Sequence, residues 1–321
     1  FFHSTGQQAL MLYKEEIENL LRTPGYAGFS LLDLHDYPGQ GTALVGLLDP
    51  FWDSKGFITP EEHKRYSGPT VPLLRMPKRT YATSETFSAK AELSHFGPTD
   101  LIGVQPQWTI RGQNGQLFAK GSLATTNVPT GKLTELGDIS VPLDKAVAPG
   151  KFTVTVSLKN TSYINSWNIW IYPPPATVKL PDNITVSHSW DAATRKALIE
   201  GKRVVLFPVL DSAQALPGSF LPVFWSPIWF HRNPNTMGIL CDPRNPLFSL
   251  FPTDDYSNWQ WWNLILGSQT MILDGTPSEF HPLVQVIDNF ARNDKLGNVF
   301  EARAGKGRLL VCTLNIRDER L

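Results

Sequence analysis

The spacing of apolar residues changes twice along this chain, and each change marks a different kind of structure. From Ala9 to Arg22, the residues Leu10, Tyr13, Ile17, Leu20 and Leu21 recur at helical intervals, and Lys14 and Glu18 form an i,i+4 pair on the polar side. This predicts an amphipathic helix with Glu15, Glu16 and Glu18 on its exposed face, stopped by Thr23-Pro24-Gly25. Near-continuous apolar residues from Phe29 to Leu34 then predict a parallel strand covered on both faces. The run Thr59-Pro60-Glu61-Glu62 is a capping box with proline at the first helical position, which predicts a second helix from Pro60 to Tyr66. Helix, buried strand, loop and helix make the closing unit of a β/α barrel. The strand lies too near the beginning of the sequence for the rest of a barrel to precede it here.

Prolines 69, 72 and 77 mark a linker over Pro69–Lys78, and beyond it the pattern turns to period two. Phe87, Ala89, Ala91 and Leu93 alternate with polar residues, as do Phe152, Val154, Val156 and Leu158. Turn signals at Gly112-Gln-Asn114-Gly115 and Pro149-Gly150 separate such runs, and a last strand from Ser166 to Tyr172 ends at Pro173-Pro-Pro175. The pattern predicts an immunoglobulin-like β-sandwich. After the triple proline, a helix over Asp191–Glu200 ended by Gly201, strands at Arg203–Phe207, Thr270–Leu273 and Gly307–Cys312, and a helix around Pro282–Asn293 predict an α/β domain with a parallel sheet. The expected organisation is therefore an incomplete barrel unit over 1–76, a sandwich over 77–175, and an α/β domain over 176–321 whose last strand lacks a covering helix, a sign of truncation.

Composition narrows the function. Lysine plus arginine equals aspartate plus glutamate at 29 each, so no global field favours nucleic acid or an anionic membrane. The apolar runs fall well short of the ~18 residues that a membrane-spanning helix needs. The two cysteines, Cys241 and Cys312, cannot build a disulfide framework or a zinc site by themselves, and the seven histidines lack metal-ligand spacing. The chain thus gives no reason to expect a metal or cofactor. Ten tryptophans and 26 prolines suit a loop-rich, aromatic protein of the carbohydrate-active kind.

Candidate chemistry gathers at the end of the first strand. Asp33, His35 and Asp36 arrive just before the Pro38-Gly-Gln-Gly41 loop, where a barrel carries its active site. Alternation puts Asp33 and His35 on one face and Asp36 on the other, so the three cannot all point into one pocket. Tyr37, Gln40 and Trp52 are further contacts from the following loop, competing with a packing role. Trp259 and Trp262, in Trp259-Gln-Trp-Trp262, share a face if the segment is helical and could stack on a sugar ring, although packing at a domain interface is the commoner use of tryptophan. Cys241 lies in Gly238-Ile-Leu-Cys-Asp-Pro243 without the tight turn of a nucleophile, and reads as an inert buried thiol. There is no Gly-x-Gly-x-x-Gly fingerprint for a dinucleotide. Asn160-Thr-Ser162 and Asn183-Ile-Thr185 match the glycosylation sequon.

Three separated motifs resemble those of bacterial glycoside hydrolases of family 2, the β-galactosidases, β-glucuronidases and β-mannosidases. They are Gly28-Phe-Ser-Leu-Leu-Asp-Leu-His-Asp-Tyr-Pro-Gly-Gln-Gly41, Asn165-Ser-Trp-Asn-Ile-Trp-Ile-Tyr-Pro173 and Phe251-Pro-Thr-Asp-Asp-Tyr-Ser-Asn-Trp-Gln-Trp-Trp262. The resemblance implies the C-terminal portion of such an enzyme: the eighth barrel strand at Gly28–Asp36, the sandwich, and a flavodoxin-like or amidotransferase-like accessory domain. It implies a retaining hydrolase of terminal β-linked sugars, needing no cofactor, whose acid/base and nucleophile glutamates stand about 5 Å apart. Both would lie upstream of Phe1, so this chain contains no catalytic residue and is expected to be inactive alone. Its implied partners are a glycoside or oligosaccharide and the missing N-terminal domains, with self-association through exposed domain-facing surface also open. The resemblance further implies a periplasmic or secreted bacterial protein. A rival reading is a non-catalytic carbohydrate-binding or assembly module, and a weaker one an amidotransferase-like enzyme using Cys241.

Overall fold

A computed structural model of the chain describes residues 1–26, 28–32, 34–40, 44–176, 179–223 and 235–316. It opens with α1 (Phe2–Leu21), which starts a full turn or more before the sequence periodicity announces it. An irregular segment follows, and then α2 (Pro60–Ser67). The capping box of α2 forms as expected: Glu62 N–H donates to Thr59 Oγ1 at 3.2 Å, and Thr59 N–H donates back to Glu62 Oε2 at 3.0 Å. The Glu62 carboxyl is held below the usual range by the Thr59 N–H first and then by the Thr59 hydroxyl, which donates to it at 3.1 Å.

The predicted buried strand at Phe29–Asp36 is not formed by its described residues. A parallel strand needs hydrogen-bonded neighbours, and among the described residues this stretch makes one bridge, His35 to Leu48. Leu32 is 77% exposed and Leu34 37%, while Phe29 at the start of the run packs against the cluster of α1, α2 and the strand Thr70–Arg75. No barrel is built by the described residues.

The middle of the chain is a two-sheet β-sandwich, as the period-two pattern predicts. One sheet joins β1 (Thr70–Arg75), β3 (Thr86–His95) and β8 (Lys132–Pro142) in the order β1-β3-β8. The other has the order β2-β10-β9-β5-β6, from β2 (Thr80–Ala82), β5 (Pro106–Gly112), β6 (Leu117–Ser122), β9 (Gly150–Leu158) and β10 (Ile164–Tyr172). A short antiparallel pair, β4 (Leu101–Val104) and β7 (Thr126–Val128), lies beside them. Phe87, Leu93, Ile110, Val154, Val156 and Ile169 fill the space between the sheets with no solvent contact. The expected linker over Pro69–Lys78 is instead occupied largely by β1, five of whose six residues are buried. Proline is compatible with that strand because β1 is a sheet edge, where an N–H need not join the ladder.

The C-terminal part departs further from expectation. Its main sheet is mixed, in the order β11-β12-β18-β17-β15-β13. Only β11 (Ile184–Ser187), β12 (Arg203–Leu206) and β18 (Gly307–Cys312) run parallel to one another, and β18 meets its other neighbour antiparallel. The strands β13 (Ala215–Pro217), β15 (Gln269–Ile272) and β17 (Leu296–Ala304) are antiparallel, as are the side strands β14 (Ile239–Leu240) and β16 (Val284–Val286). One βαβ unit is present, through α3 (Ala192–Ile199), whose N-cap Asp191 accepts from Thr194 N–H at 2.8 Å. The helix expected at Pro282–Asn293 is not formed: Val284 and Val286 are buried around a half-buried Gln285, which is strand alternation. The described residues therefore do not make a flavodoxin-like parallel sheet.

The first helix holds these parts together, and it does so with the face that looked wet. Ile17 and Leu21 pack with Tyr66 of α2 and with Val71 and Leu73 of β1, while Met11 and Leu12 reach the core of the C-terminal sheet. Glu18 is fully buried rather than exposed. Its Oε1 accepts from Lys14 Nζ at 2.5 Å and Asn165 Nδ2 at 2.8 Å, and its Oε2 from Trp167 Nε1 at 2.7 Å. Arg22, one turn further on, lies 3.5 Å from Oε2 and also donates to the Leu74 carbonyl at 3.1 Å. The polar stripe of α1 is thus a docking face for β1 and β10. Replacing Glu18 by alanine takes the shared acceptor from the Lys14 and Arg22 cations and from the Asn165 and Trp167 donors, so Glu18→Ala should lower stability by about 3–5 kcal/mol, read as an earlier urea midpoint.

Candidate functional site

The segment 28–58 carries most of the residues singled out from sequence. Asp33 lies outside the described residues, as does the side chain of Gln40. His35 and Asp36 are placed by a short crossing of the chain over itself. Asp36 N–H donates to the Leu48 carbonyl at 3.0 Å, and the Asp36 carboxylate accepts from Gly46 N–H at 2.9 Å and from Lys55 Nζ at 2.6 Å. Both partners of this ion pair are buried. Gly46 is required there, because a Cβ would sit 2.3 Å from the His35 carbonyl carbon. His35 Nδ1 donates to the Asp36 carbonyl at 2.6 Å, and its ring lies 4.4 Å from that of Trp52. Trp52 has a left-handed backbone (φ 71°) in a turn in which Asp49 accepts the N–H groups of Phe51 and Asp53. Asp36 is therefore an inward brace, whereas Tyr37, Phe51 and Trp52 are exposed around His35.

Trp259 and Trp262 do share a face, with ring centroids 5.7 Å apart, across a 3-10 turn (Trp259–Trp261) that runs into α4 (Trp262–Ile265). Both pack on Phe220. Trp261 between them is buried, its indole donating to Thr253 Oγ1 at 2.8 Å. The segment around them is the seam to the sandwich. Trp170 Nε1 donates to the Pro252 carbonyl at 3.1 Å, Tyr172 Oη donates to Gln260 Oε1 at 2.6 Å, and Lys151 is paired with Asp254 at 2.7 Å. Interface packing accounts for most of this aromatic cluster.

Where α1, α2, β10 and this seam meet, they leave a cleft of about 290 Å³. Lys14, Glu15, Tyr66, Arg79, Trp167 and Trp259 are among its walls. The Arg79 guanidinium lies over the Trp259 ring at 5.3 Å and donates to Glu15 Oε2 at 2.6 Å, while Glu15 Oε1 accepts from Arg22 at 2.5 Å. Burial opposes ionisation of Glu15, but the Arg79 and Arg22 cations outweigh it and hold the carboxyl below its usual range. Burial pushes the Lys14 ammonium down against the upward pull of Glu18, and pushes the Tyr66 phenol up. Sequence reasoning missed this cleft because it assigned Lys14, Glu15 and Glu18 to solvent. The signal available was the charge sequence Lys14, Glu18, Arg22 on a single stripe, together with the polar handles Asn165 and Trp167.

Cys241 is buried, donates to the Asp254 carbonyl at 3.4 Å, and has its thiol pushed up to about 12 by burial and by Asp255, Asp242 and Asp254. Such a thiol stays protonated near neutral pH, which leaves no thiolate nucleophile. Among the described residues no three His, Cys, Asp or Glu side chains come together as a metal site, and no helix is long and apolar enough to cross a membrane.

The fold and cleft define a β-rich protein of three parts joined by one helix. Residues 185–321 match the model of a domain of unknown function, DUF8487, and residues 85–173 that of another, DUF8488. No curated protein matches the chain. Among solved structures it is similar to the CARDB domain of a Pyrococcus furiosus protein, at 7% identity and a TM-score of 0.25, covering 32% of this chain and 93% of that one. It is also similar to a Parabacteroides merdae β-glucuronidase, at 9% identity and a TM-score of 0.25, over 32% of this chain and 14% of the enzyme. These scores are too low to carry an argument about function.

Two predictions come from this geometry. Lys55→Met leaves the Asp36 carboxylate buried without its cation, and should open residues 34–55 to protease at a concentration that spares the wild type, seen as an early cut in that interval. Because the folded Glu15 pKa is depressed, its contribution is present above the normal glutamate range and is lost as pH falls through the folded value. Urea midpoints of wild type and Glu15→Gln should therefore differ at pH 7 and converge in acid.

Proposed function

We propose that this chain is the non-catalytic C-terminal portion of a retaining glycosidase of the family-2 type. In this reading residues 1–76 belong to the last unit of a barrel, the sandwich is immunoglobulin-like, and the C-terminal sheet is an accessory domain. One observation carries the reading. Two of the motifs that resemble the family meet at the junction beside α1, the helix that precedes the first: Asn165 of the second holds Glu18 of α1, and Trp170 and Tyr172 grip the third. A shared junction is the arrangement expected if the motifs persist to hold accessory domains against a barrel.

The outward position of His35, Tyr37 and Trp52 fits a rim that meets substrate, with Asp36 bracing the loop from within. The exposed Leu32, Leu34 and Phe51 suit a surface to be covered by preceding domains of the same enzyme. Acid/base chemistry on a glycosidic bond needs two free carboxyls about 5 Å apart. In the cleft, Glu15 is bound by two arginines and Glu62 is committed to its helix cap. The glycosyl-transferring carboxylates therefore belong to another part of the parent enzyme, whose setting would be periplasmic or secreted.

The test compares this chain with the whole product of its gene on aryl β-galactosides, β-glucuronides and β-mannosides. The chain alone should release aryl alcohol no faster than buffer, and the whole product should hydrolyse one of them with retention at the anomeric carbon by NMR. A whole product inactive on all three, or an isolated chain that turns over, would refute the reading.

A further inference from the structure

The junction cleft has a chemistry of its own, separate from the rim at residues 35–52. Its lining includes three cations, Lys14, Arg65 and Arg79, against two carboxylates, Glu15 and Glu62. The carboxylates are already engaged. Glu15 gives one oxygen to Arg22 and the other to Arg79, and Glu62 accepts from both the N–H and the hydroxyl of Thr59. Two of the cations are engaged as well, Lys14 by Glu18 and the Ser166 carbonyl and Arg79 by Glu15, which leaves Arg65 as the lining cation with its charge to offer. Arg65 is exposed and, among the described residues, donates to no carboxylate. Tyr66, only 2% exposed, lines the cleft with a hydroxyl that has no hydrogen-bond partner. An unpaired buried hydroxyl costs about 1–3 kcal/mol, which a ligand oxygen or a trapped water would recover.

The other walls mix indole rings with amide side chains such as Asn165 and Asn168. Trp167 and Trp259 flank the space, with the Lys14 ammonium 4.8 Å from the centre of the Trp167 ring and Arg79 over Trp259. A volume of about 290 Å³ holds roughly ten waters at ~30 Å³ each, near the lower end of small-molecule sites. A ligand suited to these walls has a ring to lie beside the two indoles and an anionic, acceptor-only end for Arg65 and the Tyr66 hydroxyl. We propose that the junction cleft binds a small ring-bearing carboxylate. The proposal does not rest on the glycosidase reading, since it uses none of residues 28–56.

Isothermal titration of the chain with benzoate, and with benzamide as its uncharged counterpart, tests it. Benzoate should bind at millimolar concentration or below and benzamide about tenfold more weakly, with the gap narrowing as salt rises. Arg65→Gln changes an exposed residue on which no buried group depends, so its melting temperature should match the wild type while its benzoate affinity falls about threefold to fivefold. Equal affinity for the two probes, an unchanged affinity in Arg65→Gln, or no heat up to about 10 mM benzoate would each overturn the proposal. An aryl glycoside assay that fails leaves this result untouched, so the two ideas fail separately.

Discussion

Glu18 carries a carboxylate into a position with no solvent contact, and the assembly of the chain depends on how that charge is satisfied. Removing a charge from water costs several kcal/mol, and attraction to a counter-ion offsets this only with good geometry and full hydrogen bonding. Here Lys14 and Arg22 come from the same helix, whereas Asn165 and Trp167 come from β10. The carboxylate is complete only when α1 lies on the sandwich at one rotation and one height. Apolar contacts such as Ile17 against Val71 hold the helix down but tolerate sliding, and the charged stripe removes that freedom. The same stripe places Glu15 between Arg22 and Arg79, and so shapes one wall of the cleft.

What could be read from the sequence was what depends on near neighbours. The α2 capping box, the helix over Asp191–Glu200 and the alternation of β3 and β9 are local signals, and each is present in the structure. The failures share another cause. Phe29–Leu34 has strand composition without a strand to pair with, and composition cannot supply a partner. Pro72 reads as a breaker until β1 is known to be an edge. Lys14, Glu15 and Glu18 look solvated because burial of a charge is decided by distant residues such as Arg79 and Trp167. Trp259 and Trp262 could be placed on one face from spacing alone, but their use at a domain seam required the partners Trp170 and Tyr172 on β10.

The proposed glycosidase role and the cleft draw on different parts of this architecture. The rim around His35 is a surface feature, kept in shape by one buried ion pair, Asp36 with Lys55. The cleft is a by-product of joining: it exists because α1, α2, β10 and the Pro252–Trp259 stretch meet without closing. Stability at the junction and any recognition there draw on the same side chains. Lys14 illustrates the overlap, since it serves Glu18, the Ser166 carbonyl and the Trp167 ring at once.

The placement of Pro72 has a consequence for how these molecules treat one another. The outer margin of β1 is where a strand from another chain would attach, since unpaired backbone groups template further pairing. Pro72 offers no N–H there, and its carbonyl already accepts from Asn165 at 3.0 Å. Two residues along, the Leu74 carbonyl is taken by Arg22 at 3.1 Å. The side chains that seat the helix thereby occupy the acceptors an intruding strand would use. With α1 docked, that edge offers fewer free backbone groups for another strand to pair with.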